Sequence, residues 1–317
     1  VNPISRITIG ACLFCASGIA PAIAQVTFNV SFDATAAALT NTERTNITSH
    51  IQEAGRRWSS LVAIDGPRSI EVEIGAAGIP TANGTSVTTF PVATNGSRTV
   101  YEQGLAYELI SGTDPNATSP DVHFNFGLDY LRNQLWFDPD PTARTAAIPA
   151  NRVDALSVIL HEFGHALVYN GWSDLTTGVS PATYQSTFDF WTTPGAPSVF
   201  SGPVAIATWG TPPDLTTGNN KHWGNSGDRP APPPERIERT PVQWRDGAPV
   251  PQPISAPPAA ERPAWKIGSP TASLIDELMN GVVFYYQTRY DISALDVAVL
   301  EDTGIPLDHI FGNGFEN

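Results

Sequence analysis

Apolar and polar residues alternate in three short stretches of the chain, and each alternation predicts a strand. Residues 26–32 (VTFNVSF) form the first. In 69–75, Ile70, Val72 and Ile74 share one face, and in 121–127 Val122, Phe124 and Phe126 do the same. The stretch 134–140 (QLWFDPD) also reads as a strand. Two other stretches repeat at helical spacing. Thr40-Asn41-Thr42-Glu43 is a capping-box pattern ahead of Ile47, Ile51, Ala54 and Trp58, which fall on one helix face. Asn151 is placed to cap a second helix, whose Val153, Leu156, Leu160, Phe163 and Leu167 form a stripe and which is expected to stop at Asn170-Gly171.

Beyond residue 171 the pattern weakens. Prolines crowd 230–270 without apolar periodicity, which predicts an extended, weakly ordered insertion with little core of its own. Order returns in 272–281 (ASLIDELMNG) and 291–305 (DISALDVAVLEDTGI). The expected fold class is α+β: an N-terminal subdomain over 25–171, with a twisted mixed sheet and the second helix, then an irregular C-terminal subdomain over 172–309 and a tail over 310–317. No internal repeat is visible.

Charge narrows the partners. The formal net charge is −14, and the only lysines are Lys221 and Lys266. This argues against nucleic acid and anionic membrane surfaces as partners. At the N-terminus, Arg6 precedes an apolar run that ends in Ala22-Ile23-Ala24, so 1–24 reads as a secretory signal. Both cysteines, Cys12 and Cys15, fall inside it. A protein exported without disulfides fits a bacterial source. No later run is apolar enough to insert stably in a bilayer.

The second helix carries the chemistry. In His161-Glu162-Phe163-Gly164-His165 the two histidines lie four apart and point together, roughly 150° around the helix from the apolar stripe. That spacing suits a zinc ion, with Glu162 beside it as the base that activates water. A catalytic zinc needs a third protein ligand. One common solution, H-E-x-x-H-x-x-G-x-x-H, fails here, because Val168 replaces its Gly and Gly171 its third His. His222, in a polar loop, is the first choice for the missing ligand. His123, on the predicted strand's polar face, is the second, and a carboxylate such as Glu277 would instead make a gluzincin-type peptidase.

His161-Glu162-x-x-His165, followed by His222-Trp223, "DELMNG" (276–281) and "DISALDVAVLEDTGIP" (291–306), resembles the leishmanolysin-like branch of the metzincin zinc metallopeptidases and its secreted bacterial relatives. The resemblance spans three short pieces. It implies that His161, His165 and His222 bind Zn²⁺, that Glu162 is the general base, and that Met279, the only methionine, lies beneath the metal in a Met-turn. It also implies a metzincin-like fold, with a helix ending the C-terminal subdomain, and a protein or peptide substrate. The chain departs from the family in placing the proline-rich insertion between His222 and Met279. At the position where some relatives carry a Tyr two residues after the Met it has Gly281, leaving Tyr285 or Tyr286 as substitutes. The alternative from another class is a secreted binding or surface protein with a degenerate metal site.

Overall fold

The computed structural model describes residues 26–225, 241–243 and 273–308. The signal-like segment, His309, the tail and most of the proline-rich stretch lie outside these.

The three alternating stretches become neighbours in one sheet. Strands β1 (Val26–Phe32), β2 (Arg68–Gly75) and β6 (Val122–Phe126) run parallel, and β3 (Ala82–Ser86) closes the sheet as an antiparallel edge, in the order β1-β2-β6-β3. The sheet is therefore mixed. Ile70, Val72, Ile74, Val122, Phe124 and Phe126 are fully buried on one face. Helices α1 (Asn41–Ser59) and α4 (Ala155–Leu167) cover that face. The capping box forms as expected, with the Thr40 N–H donating to Glu43 Oε2 at 2.7 Å and the Glu43 N–H to Thr40 Oγ1 at 3.2 Å. Trp58 Nε1 of α1 donates to the Leu160 carbonyl at 2.9 Å, and Phe28 meets Phe163 edge-on at 5.6 Å.

The rest of the first half borders this core. Strands β4 (Thr89–Asn95) and β5 (Arg98–Gln103) form a hairpin, and helix α2 (Gly104–Ser111) follows it directly. Helix α3 (Leu128–Asn133) follows β6. In 134–140 only β7 (Leu135–Trp136) is strand, pairing in parallel with β8 (Val153–Asp154). That pairing corrects the expected start of the motif helix. Val153 belongs to a strand, and the cap is Asp154, which accepts the Ser157 N–H at 2.9 Å. Asp154 outcompetes Asn151 because it is buried against the Arg144 guanidinium, which holds its carboxyl below the usual range against the upward push of burial.

Beyond α4 the elements are short: β9 (Tyr184–Ser186), α5 (Thr187–Phe190), β10 (Thr192–Thr193), β11 (Val199–Phe200), α6 (Pro203–Trp209), β12 (Leu215–Thr216) and β13 (Asn219–Trp223). Within the proline-rich stretch, β14 (Pro241–Gln243) pairs antiparallel with β15 (Val283–Tyr285). Helix α7 (Ala294–Asp302) closes the described chain, with Ala294 to Leu300 all buried. Among the described residues no helix is long and apolar enough to cross a membrane.

Candidate metal centre

Helix α4 is buried almost all round. His161 is 1% exposed and Glu162 3%. The C-terminal half folds over the histidine face. Phe284 packs edge-on against His161 at 5.3 Å, and His222 lies alongside at 5.0 Å. A pair of histidines on a solvated surface is thereby excluded.

The last turn of α4 ends early. Val168 and Tyr169 both donate to the Gly164 carbonyl at 2.9 Å, and Val168 leaves helical geometry at φ −151°. Tyr169 causes this: its ring is buried against Phe188 and Trp223, and its hydroxyl donates to Asp296 Oδ1 at 3.0 Å. The expected stop at Asn170-Gly171 is thus corrected. Gly171 is not left-handed; it is needed because a Cβ there would lie 2.3 Å from the Asp189 carboxylate. That carboxylate accepts the Trp172, Ser173 and Ser186 N–H groups.

Strand β13 returns the chain to the helix. His222 Nε2 stands 2.9 Å from His165 Nε2 and 3.1 Å from His161 Nε2, and those two are 3.1 Å apart. Trp223 anchors the strand, with its ring fully buried and its backbone N–H donating to the Met279 carbonyl at 2.8 Å. The segment 278–281 then clasps the cluster. The Leu278 carbonyl accepts from His161 Nδ1 at 2.8 Å, the Gly281 N–H donates to the Trp223 carbonyl at 3.1 Å, and Met279 Sδ packs on Gly164, between the two helix histidines.

The protons decide what this cluster can hold. His161 Nδ1 faces the Leu278 carbonyl, His165 Nδ1 the Tyr169 carbonyl at 2.7 Å, and His222 Nδ1 the Asn219 carbonyl at 3.3 Å. A carbonyl can only accept, so the tautomer that satisfies these contacts carries its proton on Nδ1 and presents a lone pair at Nε2. Three lone pairs converge with no proton among them, an arrangement that calls for a cation. Burial keeps the rings neutral, holding His165 down to about 4 and His161 and His222 well below their ordinary value. Tetrahedral zinc with Zn–N of 2.0–2.1 Å sets its nitrogens about 3.3 Å apart, within a few tenths of an ångström of these distances. The donor set therefore fits zinc.

Glu162 is held separately. The Gly84 N–H of β3 donates to its Oε2 at 2.8 Å, and burial pushes its carboxyl well above the usual range. Tyr130 is buried close enough to feel its charge. Gly84 was missed in the sequence, although a glycine inside the short polar run Ala82–Ser86 signals close backbone approach. A Cβ there would meet Glu162 Cβ at 2.7 Å and its carbonyl oxygen at 2.8 Å. Gly84→Ala should therefore cost about 1–3 kcal/mol in thermal or denaturant unfolding, by overpacking β3 against α4.

The other candidates lie elsewhere. His123 is on the opposite, polar face of the sheet, 3.8 Å from Asp33 and 3.6 Å from Glu73. Glu277 is buried but outside the histidine cluster; it faces Asp296, whose carboxyl is pushed up to about 7 by burial and then by Glu277. Tyr285 is buried with its N–H on the Tyr290 hydroxyl, and Tyr286 is half-buried beside Arg152. His50 is a core residue, accepting the Asp138 N–H at Nε2. Comparison with protein-family models, curated proteins and solved structures finds no match for this chain.

Proposed function

We propose that this chain is a secreted zinc-dependent endopeptidase of the leishmanolysin-like metzincin branch. The observation that carries the reading is the convergence of three imidazole Nε2 atoms, two of them from histidines that flank the buried Glu162 on one helix. A structural zinc has no use for Glu162; a hydrolase needs it. His161, His165 and His222 would hold the ion, which supplies Lewis acidity toward a water and a peptide carbonyl.

The chain's own residues supply the rest. The Gly84 N–H fixes Oε2 of Glu162 and leaves Oε1 to take a proton from the attacking water and deliver it to the departing amine. Strand β3 lies along α4 and, among the described residues, has no neighbour on its outer side in the sheet. An extended peptide adds to such an edge through main-chain hydrogen bonds, which favours a polypeptide substrate over a small ester. Met279, seated on Gly164 between the metal-facing histidines, supports the metzincin comparison. Glu277, outside the cluster, does not support the gluzincin alternative.

The test is cleavage of unfolded casein by the purified protein. Activity should vanish with a zinc chelator and return with one equivalent of zinc. Zinc binding without cleavage of any unfolded protein would favour the non-catalytic metal-binding alternative and overturn the peptidase reading.

A further inference from the structure

A second group of ligand-type side chains lies away from the histidines, where α2 meets the start of β6. Glu108 of α2 is 5% exposed and Asp121, directly before β6, is 1% exposed. Asp114, on the loop between them, is exposed. One oxygen from each lies within 4.8 Å of one from both others.

Asp114 Oδ1 accepts the Asn116 and Ala117 N–H groups at 2.8 and 2.7 Å, but donors do not reach all of the buried oxygens. Asp121 Oδ2 accepts the Glu71 N–H at 2.8 Å, but Asp121 Oδ1 and Glu108 Oε2 are buried without a hydrogen-bond donor. Asn116 Oδ1, on the same loop, is likewise buried without one. Among the described residues no Lys, Arg or His pairs with the three carboxylates. Arg68, at this end of α2, gives its Nε and Nη1 donors to the carbonyls of Glu108, Leu109, Asp65, Gly66 and Pro67. Buried carboxylates are otherwise paired, hydrogen-bonded or on a metal.

We propose that Glu108, Asp114 and Asp121 bind one calcium-type divalent cation. The donors are all hard oxygens, unlike the all-nitrogen set on α4, and Ca²⁺ with oxygens at 2.3–2.6 Å spans up to about 5 Å between opposite ligands. The ion would pin the loop 112–121 between helix and sheet. The Asp121 carbonyl also accepts the Val87 N–H at 2.9 Å and the Ser86 hydroxyl at 3.4 Å, so the site is tied to the end of β3, the strand that holds Glu162. The rival arrangement is a proton shared by Glu108 and Asp121, whose side chains lie within hydrogen-bond reach; burial and then this contact push Glu108 up to about 8.

The test is calorimetric titration of the full chain with CaCl₂, with one equivalent of zinc already bound and KCl matching the ionic strength. One Ca²⁺ per chain should bind with a dissociation constant between about 10⁻⁶ and 10⁻³ M. Saturating calcium should raise the melting temperature by about 3 °C or more. Glu108→Gln and Asp121→Asn should abolish both responses. Asp114→Asn, at an exposed position where the amide oxygen can still accept the Asn116 and Ala117 N–H groups, should weaken binding at least about tenfold. No heat and no melting shift in the unmutated protein would establish the shared proton and overturn the proposal. So would a calcium response unchanged in Asp114→Asn.

Discussion

Glu162→Gln should keep one equivalent of zinc and lose roughly 10²–10⁴-fold in kcat, the range that a general base contributes. Glutamine retains an oxygen to accept the Gly84 N–H and matches the shape of the buried pocket, so the fold has no cause to suffer. The ligand nitrogens lie on the other residues of the motif and their Nδ1 protons remain on the same three carbonyls. Only the capacity to take a proton disappears. Measured together, zinc content, melting temperature and casein cleavage separate this from any structural explanation. Near-normal turnover in a zinc-loaded Glu162→Gln protein would remove Glu162 from the mechanism.

His222→Ala should weaken zinc binding by more than about 100-fold, beyond the 10–100-fold that changes outside the ligand set cost. It should abolish cleavage as well. The ring supplies one of only three nitrogens, and among the described residues no fourth His, Cys, Asp or Glu joins their cluster. His123→Ala is the matched control. Its ring sits with Asp33 and Glu73 on the far face of the sheet, so zinc affinity and cleavage should be unchanged. The opposite pattern would leave a zinc peptidase standing but overturn the leishmanolysin-like assignment.

What the sequence revealed and what it hid follow from the range of the interactions. His161, Glu162 and His165 were legible because an i, i+4 pair is brought together by one helical turn. The capping box of Thr40 and Glu43 and the alternation in β2 and β6 were legible for the same reason. Strand β3 was not. Ala82–Ser86 has no apolar alternation, and it becomes a strand through pairing with β6 and contact with α4. The end of α4 was misplaced because Asp296, more than a hundred residues later, draws Tyr169 out of the helix. Helix α7 offered no periodicity to read, since it is enclosed on every side.

His222 was found by elimination and by resemblance, and its partner atoms could not have been. The groups that orient the three imidazoles are backbone carbonyls of Asn219, Leu278 and Tyr169, which carry no residue signature. The cysteine-poor, acidic composition bore on the choice of partners and left the site untouched.

Because the Leu278 carbonyl orients His161, the centre is also a matter of timing. A ribosome delivers His161, Glu162 and His165 more than a hundred residues before Leu278, and His222 some sixty residues before it. During that interval the histidines lack their full set of neighbours, and a nascent chain carries the motif without the machine. On the proposed reading, hydrolytic competence would wait until Leu278 has been made and its segment has docked on His161. A peptidase of the proposed kind would thereby be spared from digesting its own unfolded precursor, and a copy cut before Leu278 would lack the carbonyl that orients His161.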